Sequence, residues 1–290
     1  MVNLCTISDG NFLTKGLSLY ESLLSTSSNF TLHYLLTDDS YESVKKYENE
    51  KLKFYSHKDV CENNDTLNQL KETKYDYFCW SLSSYFSKWL LDKNIYESIT
   101  YIDSDILFYQ DIKFVHDTIA DKDIGLFRHR MFPLGIYRPE GLFNVGVVYF
   151  KNSKIGKEAL DWWTDAVLNQ KYPGMSSCGD QKYLEFFMYA YPDKVQIDGD
   201  IGHGAPWHWQ LYNLGDFYSN GHIQWENKKQ LMVFSHFSQF KTNFEEDSYV
   251  ASTNHHCYTP LAEYENNLIL KDIHQDYFET LKETKSKYKL

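Results

Sequence analysis

The chain lacks most of the features that mark secreted, membrane or nucleic-acid-binding proteins. Five cysteines in 290 residues are odd in number, scattered, and include no Cys-x-x-Cys pair. That excludes a disulfide framework and fits a reducing compartment. No run approaches the roughly 20 apolar residues a membrane helix needs. No basic region followed by an apolar segment of signal-peptide length stands after Met1. The expectation is a cytoplasmic protein without a transmembrane segment. Basic charge is also scarce: 29 Lys and Arg against 40 Asp and Glu leave a net charge of −11. A field of that sign repels polyanions, so no nucleic acid is expected as a partner, nor an anionic membrane surface. The basic tail Lys282, Lys285, Lys287 and Lys289 is interleaved with Glu283 and polar residues and makes no patch. There is no Gly-x-Gly-x-x-Gly and no Walker loop, which removes support for dinucleotide and NTPase readings. No repeat or low-complexity linker divides the chain.

What is present is ordinary globular material rich in rings: 42% apolar and 17% aromatic residues. The aromatics serve either a ring-packed core or stacking platforms, and composition does not separate the two. Short apolar runs read as strands at Val2–Ser8, Thr31–Thr37, Leu52–Tyr55, Ser98–Ile102, Ile124–Phe127, Val145–Phe150 and Leu231–Ser235. Between them lie helical stripes: Leu13, Leu17, Tyr20, Leu24; then Leu82, Phe86, Trp89; then Ile155, Ala159, Trp162, Ala166; and finally Leu270, Ile273, Tyr277, Leu281. Alternation of strand and helix predicts an α/β fold, a mostly parallel sheet with helices on both faces, in a single domain. Gly and Pro gather between Tyr172 and Gly221, a loop-rich region. Residues 246–290 are expected to add a helical extension.

Four segments carry chemistry. Tyr101-Ile102-Asp103-Ser104-Asp105 ends a strand in two carboxylates that alternation points to one side. Ligands of open α/β sheets bind at the carboxyl ends of strands. Two carboxylates there repel each other and call for a cation, most simply a hard divalent ion that also grips diphosphate oxygens. The plain alternative is a polar strand end. Phe143-Asn144-Val145-Gly146 opens a buried strand with an amide and a small residue; its plain reading is a core strand with a bulge. Asp180-Gln181 opens a helix, where Asp is also an ordinary N-cap. His236 closes the strand Leu231–Ser235, where a lone histidine is more often structural than a ligand.

In this order, the four segments resemble the GT-A fold glycosyltransferases, in particular the group with glycogenin and the bacterial lipopolysaccharide galactosyltransferases. Those proteins carry a strand ending in an Asp-x-Asp (DXD) motif, then Phe-Asn-x-Gly, then Asp-Gln, then a strand ending in His. The loop Thr6–Leu17 looks like their first nucleotide-binding loop. Phe78–Ser81 (Phe-Cys-Trp-Ser) and Ala205–Trp207 (Ala-Pro-Trp) are similar to motifs of less-studied bacterial members. The likeness covers roughly residues 1 to 241 and implies one domain in which residues 1–110 are mainly nucleotide-binding and 111–245 form the sugar and acceptor side. It implies a metal-dependent, retaining hexosyl transfer from a nucleotide-diphosphate sugar, a UDP-sugar first, to a hydroxyl of a glycan or other acceptor. Mn²⁺ or Mg²⁺ would sit on Asp103, Asp105 and His236. Thr6, Asp9 and Phe12 would frame the base. Ser104, Asn144, Gly146, Lys88 and Lys241 would join the donor site, and Asp180 and Gln181 would be the catalytic pair. Lys241 keeps its spacing from the His, but the Pro-Trp that follows it in glycogenin-like members is absent.

Other features carry less. Trp207 and His208 are candidates for acceptor contact, against a reading as loop anchors. His255-His256-Cys257 has no partner pair at zinc spacing and reads as a surface turn. The alternatives to a transferase are a sugar-nucleotide or glycan-binding protein of the same fold without turnover, and a nucleotidyltransferase. The latter needs a Gly-rich loop with a basic finger, which Gly10, Lys15 and Gly16 do not make.

Overall fold

A computed structural model describes residues 1–130, 139–175, 179–207, 209–251 and 267–290. The main sheet has seven strands: β1 (Val2–Ser8), β2 (Phe30–Leu36), β3 (Leu52–Ser56), β4 (Ser98–Ile102), β6 (Ile124–Arg128), β7 (Phe143–Lys151) and β8 (Val195–Ile197). Their order is β3-β2-β1-β4-β7-β6-β8. Pairs β1/β2, β2/β3, β1/β4 and β6/β8 are parallel. β7 runs antiparallel to both β4 and β6. All of β2 is buried, as a strand covered on both faces must be.

Residue alternation sorts the core into two layers. On one face Val148 and Phe150 of β7 pack with Phe86 of the helix Tyr75–Leu91 and Trp163 of the helix Lys154–Leu168. On the other, Val147 and Tyr149 pack with Leu17 and Leu23 of the helix Leu13–Thr26 and Val115 of Lys113–Ile119. The C-terminal helix Leu268–Tyr288 buries Leu270, Ile273, Tyr277 and Leu281, the expected stripe. It is pinned to Leu13–Thr26 by Ser18 Oγ donating to Thr284 Oγ1 at 2.9 Å and by Lys287 Nζ to Glu21 at 2.6 Å.

A second sheet covers one end of the first. It contains β5 (Ile106–Phe108), β10 (Tyr212–Asn213), β11 (His222–Trp225) and β12 (Lys228–His236), in the order β10-β11-β12-β5, with β9 (Gly202–Gly204) beside β12. All seven expected strands exist with slightly different ends, but Leu231–Ser235 belongs to this second sheet. The short strands β5 and β8 to β11 have too few residues to show a period in the sequence. Leu24, expected in a buried stripe, is 37% exposed.

Candidate active site

The two sheets meet at the carboxyl end of β4. β4 stops at Ile102, the chain turns through Asp103, Ser104 and Asp105, and β5 leaves antiparallel to β12 with Ile106 opposite His236. That register carries an imidazole across 131 residues of sequence to the paired carboxylates. His236 Nε2 lies 3.0 Å from Asp105 Oδ1 and 3.7 Å from Asp103 Oδ2. One ligand atom from each of the three residues falls within 4.8 Å of the others.

The hydrogen bonds around His236 fix its protonation pattern. Gly146 N–H donates to Asn144 Oδ1 at 2.8 Å, so the oxygen of that amide is identified by a group that only donates. The same oxygen lies 3.0 Å from His236 Nδ1, which must therefore carry the hydrogen. Asn144 Nδ2 donates at 3.2 Å to His129 Nε2, and His129 Nδ1 donates at 3.1 Å to the Gly141 carbonyl. Burial lowers the His129 pKa to about 4, so this imidazole stays neutral. The chain from Gly141 through His129 and Asn144 leaves the Nε2 lone pair of a neutral His236 facing the carboxylates, which is how ligating histidines are oriented. Gly146 is needed for the close packing. A Cβ there would press into Asn144 Oδ1 and lie 2.8 Å from His236 Nδ1.

Charge at this cluster is set by its members acting on one another. Burial raises the Asp103 pKa against the pull of His236, and the neighbouring Asp105 adds to the rise. Asp105 is buried too, but the charge and hydrogen bond of His236, with Lys15 behind, bring its pKa down to about 2. Burial alone would lower His236; Asp105 and Asp103 outweigh it and raise its pKa. The raised His236 pKa and the lowered Asp105 pKa both mark a place where positive charge is favoured beside the carboxylates. Two hard oxygens and one nitrogen with a fixed lone pair fit Mn²⁺ or Mg²⁺.

The cluster lies on the wall of a cavity of about 1020 Å³. Asp9, Phe12, Ser104, Asn144, Asp180, Gln181 and Trp207 line it as well. Asp9 is occupied by its own loop: its carboxylate accepts from Asn11 N at 3.0 Å and Phe12 N at 3.1 Å. Phe12 is 42% exposed. Thr6 is fully buried one residue behind the lining, and its hydroxyl has no partner among the described residues. Asp180 does not cap the turn that follows, which has no side-chain cap. Its carboxylate accepts instead from Ser83 Oγ at 2.5 Å, while Trp163 Nε1 holds its carbonyl at 2.9 Å. Burial raises the Asp180 pKa to about 7; the Ser83 bond opposes the rise and the charge of Asp103 adds to it. Asn144 Nδ2 also reaches Gln181 Oε1 at 3.4 Å, linking the Asp103, Asp105 and His236 cluster to the predicted catalytic amide. Trp207 is buried and meets His129 and His236 edge-on at 5.1 and 5.3 Å.

Two expected donor residues do not reach the cavity. Lys88 points between two helices, with Nζ 2.6 Å from both Asp92 and Asp161. Lys241 is exposed at the start of the short hairpin Lys241–Asn243/Ser248–Val250 and is not in the lining. Spacing from the histidine alone placed it too near, because the chain turns away after Phe240 into that hairpin. His208, Cys178 and the run 255–257 lie outside the described residues.

Asp76, Cys79, Trp80 and Ser83 also line the cavity. Of these further lining residues, Cys79 and Trp80 stand in the Phe-Cys-Trp-Ser stretch, while Asp76 and Ser83 gave no motif. The four fall at i, i+3, i+4 and i+7, so a signal existed on the helix face about a quarter-turn round from the apolar stripe. Trp80 packs on Gly179, whose φ of +70° and 2.6 Å clearance to the indole suit glycine alone. His129 left no periodic trace.

The chain is similar to the uncharacterised protein YfnF of Bacillus subtilis, with 26% identity over 253 residues, 82% of this chain and 81% of that one. No protein-family model matches. Mouse xyloside xylosyltransferase 1, in its apo form, superposes with a TM-score of 0.54 at 16% identity, covering 82% of this chain and 98% of that one. The galactosyltransferase LgtC in complex with donor and acceptor sugar analogues gives 0.57 at 13% identity, covering 97% and 96%. The glycosyltransferase GlyE of Streptococcus pneumoniae, also apo, gives 0.54 at 15% identity over 99% of this chain and 63% of that longer one. With its mixed seven-stranded sheet and its cavity at the carboxyl end of the central strand, the chain has the GT-A fold that these glycosyltransferases share.

Proposed function

We propose that the protein is a metal-dependent, retaining glycosyltransferase that moves a hexosyl group from a nucleotide-diphosphate sugar, a UDP-sugar, to a hydroxyl of a glycan acceptor. The observation that carries this reading is the convergence of Asp103, Asp105 and His236 within 4.8 Å on the wall of a large cavity. Its volume of about 1020 Å³ lies at the top of the usual range for a small-molecule site and leaves room for donor and acceptor together.

Asp103, Asp105 and the Nε2 of His236 would hold Mn²⁺ or Mg²⁺. When bound, the ion supplies Lewis-acid stabilisation of the charge that develops on the leaving diphosphate. Asn144 keeps His236 in the ligating tautomer. The loop of Asp9 and Phe12 offers a ring and a backbone edge to the base, and Ser104 borders the diphosphate end, while Gly146 stands behind the lining against Asn144 and His236. Asp180, a buried carboxylate with one hydroxyl donor, is suited to accept hydrogen bonds from donor-sugar hydroxyls. Gln181, beside Asn144, presents an amide to the anomeric carbon. An amide is a poor nucleophile, so retention would come from delivery of the acceptor on the leaving-group side, with the departing diphosphate taking the acceptor's proton. Trp207 supports the floor of the acceptor side. No helix among the described residues is long and apolar enough to cross a membrane.

Calorimetric titration tests the reading. Mn²⁺ alone should bind weakly and Mn²⁺ with UDP tightly, because the protein provides only part of the coordination shell. Asp105→Asn should abolish that coupling. A variant that binds UDP and Mn²⁺ as well as the native chain puts the site elsewhere, and coupled binding without turnover on any donor leaves a sugar-nucleotide-binding protein.

A further inference from the structure

Lys88 is held by Asp92 and Asp161 on a helix and Lys241 lies on an exposed hairpin, so neither is placed beside Asp103 and Asp105 to supply a cation to a departing diphosphate. The first turn of the helix Leu13–Thr26 supplies another. Lys15 Nζ lies 3.9 Å from Asp105 Oδ2, with both side chains only 12% exposed. It also sits 4.5 Å from the centre of the Phe12 ring. Phe12 and Asp105 both line the cavity, one on the nucleotide loop and one at the metal cluster. Lys15 is not itself in the cavity lining; its ammonium stands directly behind these two lining residues.

Local stability does not account for a lysine here. A cation in the first turn faces the positive end of the helix dipole. A covered ammonium loses hydration that hydrogen bonds must replace, and Nζ makes none among the described residues, 3.9 Å being too long for one. Asp105, its nearest anion, already bonds His236 at 3.0 Å. The ammonium therefore has unused donors within reach of the cavity wall at Asp105.

Resting on the transferase reading above, we infer that Lys15 binds the diphosphate of the nucleotide, between the base-binding loop and the metal cluster. Charge counting supports this. Two carboxylates and a divalent ion cancel, and the diphosphate of a sugar nucleotide then brings net negative charge. Breaking the bond from the anomeric carbon leaves its electron pair on the diphosphate and adds to that charge. A fixed ammonium at this point is worth more as the bond breaks than before, which is the condition for lowering a barrier.

Titration of UDP and of uridine into the protein with Mn²⁺ tests the assignment. Lys15→Met should weaken UDP at least tenfold and leave uridine within twofold, while Lys15→Arg recovers most of the UDP affinity. Mn²⁺ alone should bind Lys15→Met as well as or better than the native chain, since a repelling cation has gone. Unchanged UDP affinity in Lys15→Met overturns the assignment and leaves the transferase reading standing. Equal losses of UDP and uridine also overturn it, by marking a collapsed Phe12 loop. A native chain that binds no UDP with Mn²⁺ removes the transferase reading, and this inference with it.

Discussion

The two ends of the cavity handle buried charge in opposite ways. At the proposed metal end Asp103 and Asp105 face an imidazole, and an ammonium stands behind. Each charge has a partner, and the Asp105 pKa falls to about 2 despite its burial, because His236 and Lys15 outweigh desolvation. At the sugar end Asp180 makes no ion pair among the described residues and has the Ser83 hydroxyl for its donor. There desolvation wins, and the pKa rises to about 7. The difference matches what each end would bind. A cation is favoured beside paired carboxylates. Neutral hydroxyls find a strong acceptor where a carboxylate is desolvated and only partly satisfied. Substitutions at either end, and one outside both, test this contrast.

The largest effect is expected at the metal end from Gly146→Ala. The added methyl has no space between Asn144 Oδ1 and His236 Nδ1, so the bond that orients the imidazole must break. Loss of such support typically costs 10- to 100-fold in metal affinity. The Mn²⁺ concentration for half-maximal UDP binding should rise by about that factor, with a Tm change of only a few degrees. An unchanged Mn²⁺ requirement would show that Asn144 does not position His236.

Asp180→Asn should show a smaller but opposite pair of effects at the sugar end: slower turnover and a more stable fold. The sign follows from linkage. An unfolded Asp titrates near 3.9, and burial holds the folded group at about 7. Between these values the unfolded chain has released a proton that the fold retains, so this residue makes stability fall as pH rises. Below about pH 4 both states are protonated and the variant gains nothing from losing the charge. Above pH 7 the full penalty applies, at most about 4 kcal/mol for three pKa units. Melting scans of the metal-free chain from pH 4 to 8 should therefore show the Tm gap between variant and native chain opening with pH. A gap that is flat across the range means Asp180 is not desolvated as described.

Much of this was legible in the sequence, for reasons that differ between residues. Asp103, Asp105, Asn144 and His236 sit at the ends of strands long and apolar enough to be read by period, and a strand end predicts where a side chain goes. The register of β5 against β12, which brings His236 to Asp105, was not legible, because β5 has three residues. Trp80 was marked only through the Phe-Cys-Trp-Ser likeness, and Asp76 and Ser83 not at all, because they flank the apolar stripe of their helix rather than belong to it. Lys15 was hidden by position: a lysine in a first turn looks like a surface residue, and only the packing of Leu13–Thr26 against the β4–β5 turn shows where its ammonium ends. Lys241 shows the converse error, since its spacing from His236 was right and the hairpin that follows Phe240 carried it out of reach.

The smallest expected effect sharpens the contrast from outside. Lys88 was expected to touch the donor, yet its ammonium is 2.6 Å from Asp92 and from Asp161 and so clips the helix Tyr75–Leu91 to Lys154–Leu168. Ser83 and Trp80, one and two turns earlier on the same helix, are in the cavity wall. One helix therefore offers a functional face and a structural face. The Lys88 side chain is 33% exposed, and half-exposed pairs of this kind contribute about 0–1 kcal/mol. Lys88→Ala should leave the donor KM and kcat within twofold and lower Tm by no more than about 2 °C for a domain of this size. The measurement decides between the two faces. A donor KM raised tenfold at constant kcat would mean that the nucleotide extends along Tyr75–Leu91 to the Lys88 turn, and the base would then lie on that helix and not on the Phe12 loop.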